Sequence, residues 1–75
     1  MTTSSPKPDD PAIVRMREAD LADLRWHWGE AYAIWYQAGQ FCAARRDTGA
    51  ICRRPEADAL HRAIIEDYHA RPVPR

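Results

Sequence analysis

The sequence predicts an α+β fold: an N-terminal helix, a three-stranded antiparallel β-meander, and a C-terminal helix packed on the sheet. Three observations predict it. Apolar positions at helical spacing lie near the start, an aromatic and β-branched block with two tight-turn signals fills the middle, and a clean i, i+4, i+8 apolar stripe lies near the end.

The 75 residues hold one domain, expected over 13–70, between a disordered polar tail (1–12) and an extended C-terminal tail (71–75). In the first helix Val14, Leu21, Leu24 and Trp28 keep one stripe, interrupted by Arg17. The helix is expected over about 18–28, and back to 12 if Asp10-Pro11 supplies its N-cap and first turn. Gly29 is expected to end it in a left-handed conformation.

Ala31-Tyr32-Ala33-Ile34-Trp35-Tyr36-Gln37 then has strand composition. Ala38-Gly39 is a two-residue turn, Gln40 to Arg46 a second strand, Asp47-Thr48-Gly49 a second turn, and Ala50-Ile51-Cys52-Arg53 a short third strand. Arg54-Pro55-Glu56 opens the last helix, whose stripe is Leu60, Ile64 and Tyr68, and Pro72 and Pro74 end it.

Strand alternation converts these turns into two faces. The first turn pairs Trp35 with Cys42, Ile34 with Ala43 and Tyr36 with Phe41. If the second turn pairs Arg46 with Ala50, then Ala44 faces Cys52 and Arg45 faces Ile51. One face then carries Ala33, Trp35, Cys42, Ala44, Ala50 and Cys52. The other carries Tyr32, Ile34, Tyr36, Phe41, Ala43 and Ile51, edged by Arg45 and Arg53. A helix lies closely on small residues, so the C-terminal helix is expected over the first face. The aromatic face is left for the N-terminal helix, a second copy or a ligand.

Lysine plus arginine equals aspartate plus glutamate, 11 each, so no bulk charge draws the chain to nucleic acid or to a membrane. Charge is local instead: segment 40–54 is net basic through Arg45, Arg46, Arg53 and Arg54, and segment 55–70 net acidic through Glu56, Asp58, Glu66 and Asp67. No apolar run reaches membrane-spanning length, and residues 1–10 lack the apolar core of a signal peptide, so a cytoplasmic protein with reduced thiols is expected.

Catalytic and metal chemistry find little support. Cys42, Cys52, His61 and His69 follow the order of a ββα zinc finger, but their spacings are wrong, and the two histidines stand about 12 Å apart along a helix. Cys42 and Cys52 are diagonal in the expected register and poorly placed for a disulfide. His27, between Trp26 and Trp28 and near Glu30, reads first as a helix-end histidine favourable to the dipole. Ser4 and Ser5 lie in the tail, and Gly29, Gly39 and Gly49 belong to separate turns and form no phosphate loop. No enzyme, cofactor or metal site is expected.

Two resemblances add to this reading. Gly39 to Gly49, with Arg45 and Arg46 before the turn, is similar to the hairpin of the small N-terminal DNA-binding domain of phage-type integrases. That likeness implies a sheet entering the major groove, with Arg45 and Arg53 as contacts. Leu24-Arg25-Trp26-His27-Trp28-Gly29-Glu30-Ala31-Tyr32, Ala44-Arg45-Arg46-Asp47 and Ile65 to Pro74 together resemble small uncharacterised proteins of high-GC Gram-positive bacteria. This implies an autonomous domain and no particular activity; Arg54 departs from the serine N-cap common there.

The expected function is therefore that of a protein-interaction module that self-associates as a homodimer. Its contacts are expected at Tyr32, Tyr36 and Phe41 with Arg45 and Arg53 at the rim. DNA binding through the basic hairpin 40–54 is the alternative.

Overall fold

A computed structural model describes residues 10–74. It has helix α1 (Pro11–Trp28), strands β1 (Tyr32–Gln37), β2 (Gln40–Arg45) and β3 (Ile51–Arg54), and helix α2 (Ala57–Ala70). The strands form one antiparallel sheet in the order β1-β2-β3. The expected fold class is the observed one.

Helix α1 takes the earlier of its two starts. The Asp10 carboxylate accepts a hydrogen bond from the Ala12 N–H at 2.9 Å, and Pro11 occupies the first turn, where its missing N–H costs nothing. The domain boundary drawn at residue 12 thus falls inside α1, and the disorder expected of residues 1–9 lies outside the described residues. Gly29 ends α1 for a reason other than the expected one. Its φ is −63°, not left-handed, but a Cβ there would lie 2.4 Å from the Arg25 carbonyl oxygen. Helix α2 starts at Ala57 with Glu56 as N-cap, so Pro55 precedes the helix instead of opening it.

The β1–β2 register is the expected one, residue for residue. It is closed by Ala38 and Gly39 at φ 51° and 78°, the twin positive angles of a type I′ turn. The β2–β3 register differs by one residue. Arg45 pairs with Ala50, its N–H donating to the Ala50 carbonyl at 2.9 Å, and the loop is Arg46-Asp47-Thr48-Gly49. Ala43 therefore faces Cys52, and Ala44 faces Ile51. A one-residue slip exchanges the faces of a whole strand. Cys52 moves to the aromatic side, and Ile51 and Arg53 move to the side of Ala33 and Ala44.

Both helices pack on the aromatic face, α1 against β1 and α2 against β2 and β3. The core joins Leu21 and Leu24 of α1, Ile34, Phe41 and Ala43 of the sheet, and Leu60 and Ile64 of α2. The expectation that α2 covers the small-residue face is overturned. Burial is worth about 25 cal/mol per Å² of apolar surface, so closing the helices over Tyr32, Ile34, Tyr36 and Phe41 yields far more than closing them over alanines. Cys42 and Cys52 are free thiols and now project to opposite faces.

Aromatic rings close the seam between the helices. Trp28 meets Tyr32 and His61 at 6.2 Å and Tyr68 at 5.4 Å between centroids. His61 is thus half-buried. Arg17, which breaks the apolar stripe of α1, lies over the Tyr36 ring at 4.3 Å, so the interruption is itself a packing contact. Beyond α2, Val73 returns to the core. The segment expected as a free tail is anchored at that residue.

One position in the first turn is conformationally mismatched. Ala38 holds a left-handed backbone that alanine tolerates poorly and asparagine tolerates well. The Ala38→Asn variant is expected to be more stable by about 0.5–1 kcal/mol, checked by urea unfolding.

Candidate functional site

The inner end of the sheet holds a polar network. Arg45 is 5% exposed, and its guanidinium makes four hydrogen bonds within the fold. Nε and one terminal nitrogen donate to the two oxygens of Asp47 at 3.0 and 2.9 Å. The other terminal nitrogen donates at 2.7 Å both to Asp67 on α2 and to the Arg71 carbonyl. Tyr32, opposite Arg45 in the register and 1% exposed, donates its hydroxyl proton to the same Asp67 oxygen at 2.5 Å. The network ties β1, β2, the β2–β3 loop and the end of α2 together.

These contacts set the protonation states. The hydrogen bond from Arg45 holds the Asp47 carboxyl below its ordinary value, and those from Tyr32 and then Arg45 do the same to Asp67. Burial and the adjoining Asp67 push the Tyr32 phenol well above its ordinary range, and the two carboxylates hold Arg45 more firmly protonated. Burial also raises the Cys52 thiol.

The opposite face of the sheet is uncovered. It carries the rows Gln37–Gln40, Trp35–Cys42–Arg53 and Ala33–Ala44–Ile51. Cys42 is buried between the two longest side chains of its row, while Ile51 is 47% exposed. The Trp35 indole N–H donates to Gln37 at 3.0 Å, which lays the ring along the sheet. The result is a flat, mostly apolar surface with one basic corner.

Both sheet edges are guarded. On β1 the outward carbonyl of Ile34 accepts from Arg25 Nε at 2.9 Å. On the far side β3 is short, carries Arg53 and Arg54, and runs into Pro55. Such features discourage the addition of a further strand.

The expected contact residues are redistributed. Tyr32 and Phe41 (6% exposed) belong to the core, and Tyr36 is half-buried beneath Arg17. Arg45 is a buried structural ion. These four were expected at an exposed surface and are not; the face they occupy is the one the helices need. Arg53 alone reaches the open face, beside residues read as a helix seat. His27 is exposed, 3.5 Å from Asp23 one turn earlier. Among the described residues no three of His, Cys, Asp and Glu stand where they could hold a metal ion, and no helix is long and apolar enough to cross a membrane.

Sequence reasoning missed Ala44, Ile51 and, above all, Trp26. Trp26 is 85% exposed. Its signal was legible: it lies two residues past Leu24, about 200° round the helix from the buried stripe. No family model, curated protein or solved structure matches the chain.

The network makes stability depend on pH at both ends. Asp47 and Asp67 titrate lower in the folded chain than in the unfolded one, so their contribution is complete above the ordinary 3.8 and disappears as pH falls through the folded values. Tyr32 titrates higher when folded, so its contribution is complete below its ordinary 10.0 and declines as pH rises beyond that. Cys52 also titrates higher when folded, so its share declines above its ordinary 9.0, and thermal unfolding across pH is expected to show a plateau between 3.8 and 9.0. Tyr32→Phe lowers the plateau by about 1–2 kcal/mol, the loss of one hydrogen bond to a charged group, and weakens the alkaline decline, leaving the smaller share owed to Cys52.

Proposed function

We propose that the protein is an interaction module that self-associates weakly through the open face of its sheet. The observation that carries this is the placement of both helices on one side, which leaves Ala33, Trp35, Ala44 and Ile51 without a covering element. A sheet face of alanines flanked by one tryptophan and one isoleucine suits another such face, since two sheets stack about 10 Å apart when small residues meet large ones. Balanced charge, 11 of each sign, removes the long-range repulsion that would separate two copies.

Size sets the strength. Strands spaced about 4.8 Å apart with about 3.3 Å per residue give a patch of roughly 300 Å² per copy. A stable complex buries about 800 Å² per partner, so this face alone supports a reversible association and not a permanent dimer.

DNA binding through hairpin 40–54 has less support. Arg45 is buried, with Nε and both terminal nitrogens bonded within the fold, and of the pair implied by the integrase likeness Arg53 alone remains.

Sedimentation equilibrium over a wide concentration range tests the proposal. The wild-type chain is expected to show a monomer–dimer equilibrium with Kd in the high-micromolar range, and Ala44→Arg, which places a charged side chain on the middle strand between Ala33 and Ile51, is expected to abolish it while leaving the circular dichroism unchanged. A chain that stays monomeric at millimolar concentration overturns the reading. If that monomer retards duplex DNA at low salt, the role passes to the arginines.

A further inference from the structure

At the corner where α1 ends beside β1, Trp26 stands next to a hollow. Its lining includes Arg25, Trp26, Gly29, Glu30, Ala33 and Arg46, together with the buried β1 residues Tyr32 and Ile34. Gly29 and Ala33 are its smallest side chains, and Tyr32 and Ile34 are turned into the core, so beside Gly29 and Ala33 a flat group can approach the backbone closely. Its walls are two guanidinium groups, each held by its Nε on a main-chain carbonyl. Arg25 donates to Ile34 and Arg46 to Gly29, both at 2.9 Å. Fixed in this way, the two cations need little further ordering to receive a ligand.

Two guanidinium groups held by the main chain, with the small Gly29 and Ala33 beside them, form a seat for an electron-rich ring. An anion fits less well, because the Glu30 carboxylate belongs to the same lining. The ring most available to fill the seat is Trp26 itself, which the protein presents almost wholly to solvent. It cannot enter its own hollow, being one of its walls, but a second copy's Trp26 can.

Resting on the self-association proposed above, we infer that two copies meet about a twofold axis near Ala33, each placing its Trp26 in the other's hollow between Arg25 and Arg46. Ala33 belongs both to the hollow and to the open face, so this contact is continuous with the sheet contact and enlarges it. A twofold arrangement uses the same knob and the same hollow on each copy and closes at the dimer. A tryptophan adds about 150–250 Å² of buried surface, bringing the interface nearer the size a specific complex requires.

The test pairs sedimentation equilibrium with 19F NMR of the full chain carrying 5-fluorotryptophan. In the wild type the Trp26 resonance is expected to shift with concentration along the same curve as the dimer fraction, while that of Trp28, inside the helix seam, stays fixed. Trp26→Ala is expected to keep the fold and weaken association about tenfold or more, whereas Trp26→Phe retains most of it. If Trp26→Ala associates as well as the wild type while Ala44→Arg does not associate, the ring-in-hollow contact is wrong and the sheet contact stands. If neither substitution changes the association, both are wrong.

Discussion

The fold depends on the buried guanidinium of Arg45. A charge this far from water is tolerated only where its donors are satisfied, and here Asp47, Asp67 and the Arg71 carbonyl supply the acceptors. Each acceptor constrains a different part of the chain. Asp47 shapes the β2–β3 loop, Asp67 brings the last turns of α2 over the sheet, and Arg71 holds the segment that returns Val73 to the core. Tyr32 joins the group from β1. Satisfying one cation on the inner face therefore locks in the side that burial of Tyr32, Ile34 and Phe41 already favours.

The rest follows from that choice. With Arg45 inward and paired with Ala50, strand β3 turns Cys52 to the core and Ile51 and Arg53 to the open side. Two helices then share one face, and their aromatic seam of Trp28, Tyr32, His61 and Tyr68 supplies much of the area a small domain needs. The other face remains bare. The open face is thus a by-product of how a short chain concentrates its large side chains on one side, and it consists largely of what those side chains left behind: alanines, one isoleucine, one tryptophan and an arginine.

Much of this was legible in the residues. Composition and turn chemistry predicted five elements in the right order, and Ala38-Gly39 predicted the β1–β2 register completely. The inference failed at the second turn. Asp47-Thr48-Gly49 suits a three-residue loop as well as it suits the end of a four-residue one, and local signals do not separate the two. What decides is a contact across 22 residues, Arg45 with Asp67, which periodicity cannot reveal. One residue of register then moved Arg53 and Ile51 together, and a preference for helices on small residues placed α2 on the wrong side. Trp26, by contrast, was readable from its angle on the helix, about 200° from Leu24.

The β2–β3 register is the point at which the account can be tested most directly. Arg45 and Ala50 form a hydrogen-bonded pair, so Ala44–Ile51 and Cys42–Arg53 are the close, non-hydrogen-bonded pairs on either side of Ala43–Cys52. NOE spectroscopy of the dilute, monomeric chain is expected to show strong Hα–Hα cross-peaks for Ala44 with Ile51 and for Cys42 with Arg53. Cross-peaks joining Ala44 to Cys52 or Arg45 to Ile51 would instead turn β3 over, take Ile51 from the open face, and contradict the account at its base.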